Sequence, residues 1–258
     1  RAGVKELNII GQDISAYGMD LYGSPSLPLL LKKACSRMKR ISWMRLLYLH
    51  PQGLSDELLA LIRDEPRICK YIDLPLQHVN SRILSLLNRA TAKRGMYAPI
   101  DKVRKTIPAA GLRTSLIVGF PSETDKEFKE LLSFIEEVKF ERLGVFMYSR
   151  EEGTPAYGFK PQIPEAIKRE RFTILMQSQQ RISQELNTRF LGTTMQVLID
   201  EVESSQYIGR SQYDAPEVDG LVYVTSKRAL KPGDLVEVRI TDTLEYDLVA
   251  QAIEGDVP

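Results

Sequence analysis

Cysteine is nearly absent from this chain of 258 residues: only Cys35 and Cys69 occur, far apart and in no C-x-x-C frame. A disulfide framework or a sulfur-ligated metal site needs more thiols than that, so neither can be built from these residues alone. Histidine is as scarce, with His50 and His78 the whole supply. Long apolar runs are missing too. No stretch approaches the ~20 consecutive apolar residues of a spanning helix, and the opening Arg1-Ala2-Gly3-Val4-Lys5 lacks the apolar core of a signal peptide. A cytoplasmic protein with no membrane partner is the expectation. No Gly-Lys-Ser/Thr closes a P-loop and no G-x-G-x-x-G follows a strand, which removes the usual supports of phosphoryl transfer and nicotinamide chemistry.

Net charge is also small, at +1, yet it is unevenly spread. Residues 192–258 hold five Lys and Arg against thirteen Asp and Glu, a balance of −8, so the remainder carries +9. A basic body followed by an acidic tail is a cue to partners. Hydrophobic residues make up 43% and charged residues 27%, which excludes disorder and collagen-like structure.

Five short apolar runs recur, at Lys5–Ile10, Ser42–Leu49, Tyr71–Leu76, Arg113–Gly119 and Leu143–Tyr148, with room for a helix and two loops between successive runs. That spacing predicts a βα repeat whose parallel strands are covered on both faces. The clearest intervening helix covers Asp125–Lys139. Its Phe128, Leu131, Leu132, Ile135 and Val138 recur at helical spacing, and Thr124 with Glu127 forms a capping box. Another runs over about Asp56–Arg63, with Ser55 as N-cap. Five strands are too few to close an eight-fold barrel, so a partial barrel over residues 1–160 is expected, with an open edge at the first strand. A long polar helix from Pro164 to near Gly192 reads as a connector over 161–191. Five strands then follow in quick succession, at about Met195–Val202, Tyr207–Gln212, Leu221–Thr225, Leu235–Thr241 and Tyr246–Ile253. Val236, Val238 and Ile240 alternate with charged residues, which predicts a one-sided sheet over 192–258, curled into a small antiparallel barrel of the OB type.

In a βα barrel the chemistry gathers at the carboxyl ends of the strands. Those ends read Gly11-Gln12-Asp13, His50-Pro51-Gln52-Gly53, Gln77-His78, Gly119-Phe120-Pro121-Ser122-Glu123-Thr124 and Ser149-Arg150-Glu151-Glu152-Gly153-Thr154. Polar turns are ordinary in loops, but five in register point to a site. The run from Gly119 to Thr124 passes a proline and enters a helix through a capping box, a turn that suits a nucleotide or adenosine moiety. His50 and His78 both sit at strand ends, where each could move a proton or bond substrate; the competing reading is a capping or packing residue.

These ends, taken with Ile9-Ile10-Gly11-Gln12-Asp13-Ile14-Ser15-Ala16-Tyr17-Gly18, Tyr48-Leu49-His50-Pro51, Leu74-Pro75-Leu76-Gln77-His78 and Leu112-Arg113-Thr114-Ser115-Leu116-Ile117-Val118-Gly119-Phe120-Pro121, resemble the radical S-adenosylmethionine methylthiotransferases over essentially the whole chain. The resemblance implies an α/β fold: a partial radical SAM barrel followed by an all-β, OB-like TRAM domain. It implies, as cofactors, S-adenosylmethionine and, in the intact protein, two 4Fe-4S clusters. The ribosomal branch, marked by Tyr48–Pro51, Gln77-His78 and Asp214–Gly220, adds a methylthio group to the β-carbon of an aspartate in a small-subunit ribosomal protein. In that mechanism a reduced cluster cleaves S-adenosylmethionine to a deoxyadenosyl radical, which takes hydrogen from the carbon.

By the same resemblance Gln12 meets the methionine amino group, Gln77 and Arg89 the ribose and methionine carboxylate, and Arg113 serves the same end. Gly119, Glu123 and Tyr148 fall near the adenine. Asp13, His50, His78, Asp214, Glu217 and Asp219 are the expected substrate contacts, and no catalytic residue or metal ligand is assigned. Gln12, Gln77, Arg89, Arg113 and Glu123 are expected to converge on one pocket. Two departures stand out. Ser122 replaces the glycine of the Gly-Phe-Pro-Gly-Glu-Thr signature, and the C-x-x-x-C-x-x-C loop of the catalytic cluster is absent, as is the amino-terminal domain that binds the second cluster. The chain is therefore expected to be a portion of a longer protein, inactive alone. Two alternatives compete: the same chemistry on transfer RNA, and a non-catalytic module that docks on ribosomal protein or RNA. A tail at −8 repels phosphates and favours a basic ribosomal protein as partner over RNA.

Overall fold

The computed structural model describes residues 3–89, 93–203 and 206–253. Its first part has five parallel-paired strands: β1 (Glu6–Ile9), β2 (Trp43–Leu46), β3 (Tyr71–Asp73), β4 (Gly111–Val118) and β5 (Arg142–Met147). One ladder joins β1 to β2, and a separate three-stranded sheet runs β3-β4-β5. Between β2 and β3 the link is looser, carried by a bridge from Met44 to Ile68 and by the Leu49 amide, which donates to the Asp73 carbonyl. Among the described residues β1 pairs with β2 alone, so an edge is open there.

Alternation along these strands sorts the side chains into two faces. Met44, Leu46, Ile72, Leu74, Leu112, Leu116 and Val118 are buried in one cluster with α2 (Leu27–Arg37), α3 (Asp56–Asp64), α5 (Lys93–Thr106) and α6 (Asp125–Val138). Two short helices, α1 (Met19–Tyr22) and α4 (Ser81–Leu86), complete the set to this point. The opposite, inner face is polar: Arg45, Tyr71, Asp73, Arg113 and Ser115 occupy it. The sequence expectation of apolar cover on both faces therefore holds for the outer face only. α6 starts where its capping box requires, with Thr124 Oγ1 accepting from the Glu127 amide and the Glu127 carboxylate accepting from the Thr124 amide.

The long helix α7 (Glu165–Asn187) is more than a connector. It packs on β5 and α6, and it buries Lys168, Arg171, Gln179, Ser183 and Asn187 against the βα body. Gln179 donates to the Phe140 carbonyl at 2.8 Å, and Lys168 to the Tyr148 carbonyl at 2.8 Å. Part of its polar sequence thus answers partners inside the protein, while residues such as Arg169, Glu170, Gln177 and Arg181 face water.

Beyond it, β6 (Thr194–Glu203), β7 (Gln206–Ser211), β8 (Val222–Thr225), β9 (Leu235–Thr243) and β10 (Leu248–Ala252) close a barrel in the order β10-β8-β7-β6-β9. Val197, Ile199, Val222, Val224, Val236, Val238 and Ile240 fill it. The expected all-antiparallel pairing fails at one seam, where β8 and β10 run parallel. An odd number of strands cannot alternate direction all the way round a ring, so one parallel pair is unavoidable.

Candidate functional site

The carboxyl ends of the five strands surround a cavity of about 280 Å³ lined by Gln12, Asp13, Tyr48, Leu49, His50, Pro75, Gln77, Arg89, Ser115, Ile117 and Phe146. Five of the residues expected from sequence therefore meet: Gln12, Asp13, His50, Gln77 and Arg89. Each is positioned by local chemistry. Asp13 caps a short 3-10 turn by accepting from the Ser15 amide at 2.9 Å. His50 caps another, its Nδ1 accepting from the Gln52 amide at 3.3 Å, which leaves the ring proton on Nε2. Gln77 ties its backbone to β4 on both sides, donating to Ser115 and accepting from Ile117.

Two backbone features mark the pocket that sequence could not show. Tyr48 (φ 59°) and Gln77 (φ 69°) both adopt left-handed conformations without being glycine. Residues held there against their preference concentrate at ligand sites. Arg89 supplies the electrostatic counterpart. It is half-buried, and its Nη1 donates to the Pro75 carbonyl at 2.8 Å. Burial pulls its guanidinium below the ordinary range, and Asp13 offsets this only in part. A cation so placed gains from an incoming anion.

The remaining expectations part from this pocket. Arg113 and Glu123 do not converge on it. Arg113 pairs with Asp73 (3.1 Å) and Asp219 (3.3 Å) low on the inner face. On β4, Ser115 and Ile117 reach the cavity, and Arg113 lies two to four residues below them, or roughly 7–13 Å at ~3.3 Å per residue. Glu123 is fully buried in a knot behind the pocket. Its carboxylate accepts from the Gly119 amide and from Arg171 Nη1 (2.9 Å), while its Oε1 lies 3.3 Å from His78 Nε2. His78 is fully buried, its Nδ1 accepting from the Asn80 amide at 2.9 Å, so it serves this knot and does not line the cavity as a substrate contact.

Gly119 and Tyr148 belong to the same scaffold. A Cβ on Gly119, at φ +71°, would stand 2.3 Å from Lys168 Cγ, so the close neighbour is α7. Tyr148 packs edge-on to Phe120 at 5.2 Å. Ser122 takes a left-handed backbone that glycine adopts more readily, with φ 65°, held by Arg82 Nη2 donating to its carbonyl and Nη1 to its hydroxyl.

The acids Asp214 and Asp219 are not surface groups. The loop 212–221 between β7 and β8 plugs the lower end of the half-barrel: Asp214 accepts from Arg142 Nε at 2.7 Å, Asp219 accepts from the Tyr71 hydroxyl at 2.5 Å, and Arg45 Nη1 donates to the Gln212 carbonyl at 2.8 Å. Glu6 joins the same floor, pairing with Arg45 and Arg210 at 2.8 Å each. Part of the charge asymmetry is thus satisfied inside the molecule. Of the three acids expected in this loop only Glu217 is exposed. Cys35 and Cys69 are buried free thiols, and burial pushes the Cys69 thiol up to about 11.

Comparison with known proteins agrees with this architecture. The TRAM domain profile matches residues 191–253, and the Radical SAM superfamily profile matches residues 1–135. The chain is 47% identical over 255 residues to the "Ribosomal protein uS12 methylthiotransferase RimO" of Citrifermentans bemidjiense, covering 98% of this chain and 56% of that protein. It is 49% identical over 251 residues to the protein of the same name from Caldanaerobacter subterraneus subsp. tengcongensis, covering 97% and 57%. The chain spans a little over half the length of these curated relatives. With more than half of its residues inside the superfamily match, and a parallel βα half-barrel whose strand ends enclose the pocket, the chain belongs to the radical SAM superfamily.

Proposed function

We propose that the strand-end pocket holds S-adenosylmethionine, and that the chain forms the cofactor-cradling and carboxyl-terminal part of an enzyme that adds a methylthio group to the β-carbon of an aspartate in small-subunit ribosomal protein uS12. The observation that carries the first half is the donor set. Arg89, an incompletely compensated cation, lines the cavity together with Gln12 and Gln77 and with the apolar Phe146, Ile117 and Tyr48. A zwitterionic amino acid joined to an adenosine asks for both kinds of surface. The second half rests on the names of the relatives and on the span of the match.

S-adenosylmethionine, when bound and given an electron by a reduced iron–sulfur cluster held outside the described residues, would supply the radical chemistry that opens an unactivated carbon–hydrogen bond. This chain's own residues bind and orient. Arg89 would receive the methionine carboxylate, Gln12 the amino group and Gln77 the ribose, with Phe146 shielding one side from water. His50, with its proton on Nε2, can donate one hydrogen bond into the pocket. Iron–sulfur clusters do not fit the described residues in the same way. No three His, Cys, Asp or Glu side chains gather among them as metal ligands, and Cys35 and Cys69 are buried on separate elements.

Glu201, Glu203, Glu217, Asp242 and Glu245 remain exposed on the barrel and suit a basic ribosomal protein as partner. A ribosomal substrate goes with a cytoplasmic location, and no helix among the described residues is long and apolar enough to cross a membrane. The test is anaerobic iron–sulfur reconstitution of the intact protein with S-adenosylmethionine, followed by mass analysis of uS12 and of transfer RNA. A methylthio mass gain on the uS12 aspartate is expected. A gain on transfer RNA with none on uS12 would replace this reading.

A further inference from the structure

The floor and the pocket are joined by one continuous set of contacts. Asp73, the last residue of β3, is buried and grips the turn at the pocket rim twice: its carbonyl accepts from the Leu49 amide (3.0 Å), and its Oδ2 accepts from the Tyr48 amide (2.9 Å). Tyr48 is the left-handed residue of that rim, so its amide orientation has to be held from outside. The other oxygen of Asp73 accepts from Arg113 Nη1 at 3.1 Å, and Arg113 Nε donates to Asp219 Oδ1 at 3.3 Å. Asp219 belongs to the terminal barrel, where it also accepts from the Ala215 amide at 2.9 Å. The route is hemmed in. A Cβ on Gly144 would come within 3.3 Å of Arg113 Nη2, and Asp73 and Asp219 expose only 2% and 3% of their side chains.

We propose that Asp73 and Arg113 are positioning residues, through which the seating of Asp219, on the barrel's plug loop, fixes the Tyr48–Leu49 turn, so that the terminal barrel is a working part of the ligand pocket. A guanidinium bridging two carboxylates has its orientation set by both, so withdrawing one anion frees it to turn and weakens its hold on the other. Asp73 then has less reason to keep the geometry that accepts from the Tyr48 amide. The ligand side of this coupling rests on the cofactor reading above, whereas the structural side does not.

Amide hydrogen exchange on the whole chain tests it, because the Tyr48 amide reports the last link directly. Asp219→Asn keeps the shape of the side chain and removes the anion. Exchange at Tyr48 should then rise about tenfold, the loss expected when a charge-assisted hydrogen bond is released. Amides of β4 and β5 above Ser115 should not change. Asp214→Asn is the matched control, since it breaks the neighbouring Arg142 pair in the same plug loop without touching Arg113. It should leave Tyr48 unchanged. Arg113→Lys, which retains the charge but cannot bridge both acids, should reproduce the effect of Asp219→Asn and serves should that variant not fold. Unchanged exchange at Tyr48 in a folded Asp219 or Arg113 variant would overturn the proposal. An equal rise in Asp214→Asn would do the same, by showing general undocking. Titration with S-adenosylhomocysteine forms the second arm, with at least threefold weaker binding expected in Asp219→Asn. Should the unaltered chain bind none, the cofactor reading fails and the exchange result still decides the positioning role.

Discussion

The two ends of the half-barrel use the same kinds of residue to opposite purposes. At the floor, Arg45, Arg113, Arg142 and Arg210 meet Glu6, Asp73, Asp214 and Asp219 in a buried network. At the strand ends, Arg89 sits half-buried with its charge only partly offset by Asp13, and two residues hold left-handed backbone. A saturated network leaves nothing for a ligand to gain, so it locks. An under-compensated one is stabilised by what binds to it, so it recognises. Residue type does not separate these roles; depth along the strand and the presence of a carboxylate in direct contact do.

The sharpest way to break that contrast is to remove one partner at each end. Asp214→Ala strands the buried Arg142 guanidinium, and loss of about 3–5 kcal/mol in denaturant unfolding is expected, as for other half-broken buried pairs. Arg89→Ala should cost less, about 1 kcal/mol for the lost bond to the Pro75 carbonyl, and cut S-adenosylhomocysteine affinity by about 10–100-fold, the worth of a charge-assisted hydrogen-bond pair. Calorimetric titration beside an unfolding curve separates the two. A destabilised Arg89 variant that binds normally would reverse the assignment.

Much of this contrast lay outside what sequence can reveal. Gln12 and Gln77 were legible because they follow apolar runs whose ends define the pocket, Arg89 only through the family resemblance because it follows the short helix α4, and α6 because capping box and periodicity agree. Arg113 misled because it looks as polar as Arg89, while its partner Asp219 lies 106 residues away in a different domain. Asp214 and Asp219 misled for the same reason, their charge reading as surface until the plug loop buries it. The left-handed angles of Tyr48 and Gln77 have no sequence signature, since both are residues that normally avoid them. α7 read as a connector because Lys168, Arg171, Gln179 and Ser183 are polar, yet each bonds a group inside the body.

A smaller effect sharpens the comparison by isolating the scaffold between the two ends. Thr124→Ala removes the N-cap of α6, and about 1 kcal/mol of stability should go with it, read from the shift in the unfolding midpoint. Glu127, the other half of that cap, is held down to about 2: burial raises its carboxyl, but Arg82 and the Thr124 amide and hydroxyl outweigh it. Its folded value lies below the ~4.3 of a free glutamate. The stabilisation is therefore complete above that value and is lost as pH falls from about 4 toward 2. Glu127→Gln should therefore lower stability near neutral pH, where the charge is fully present, and flatten the acid limb in that window, so that the two profiles converge toward pH 2.

Whether the strand ends recognise while the floor locks can be read residue by residue, from amide chemical shifts recorded while the chain is titrated with S-adenosylhomocysteine. Saturable shifts are expected at Gln12, Asp13, Tyr48, His50, Gln77, Arg89, Ser115 and Phe146, with smaller ones reaching Asp219 through Arg113. Saturable shifts confined to the plug loop 212–221, or spread without focus over the barrel, would contradict that division of roles.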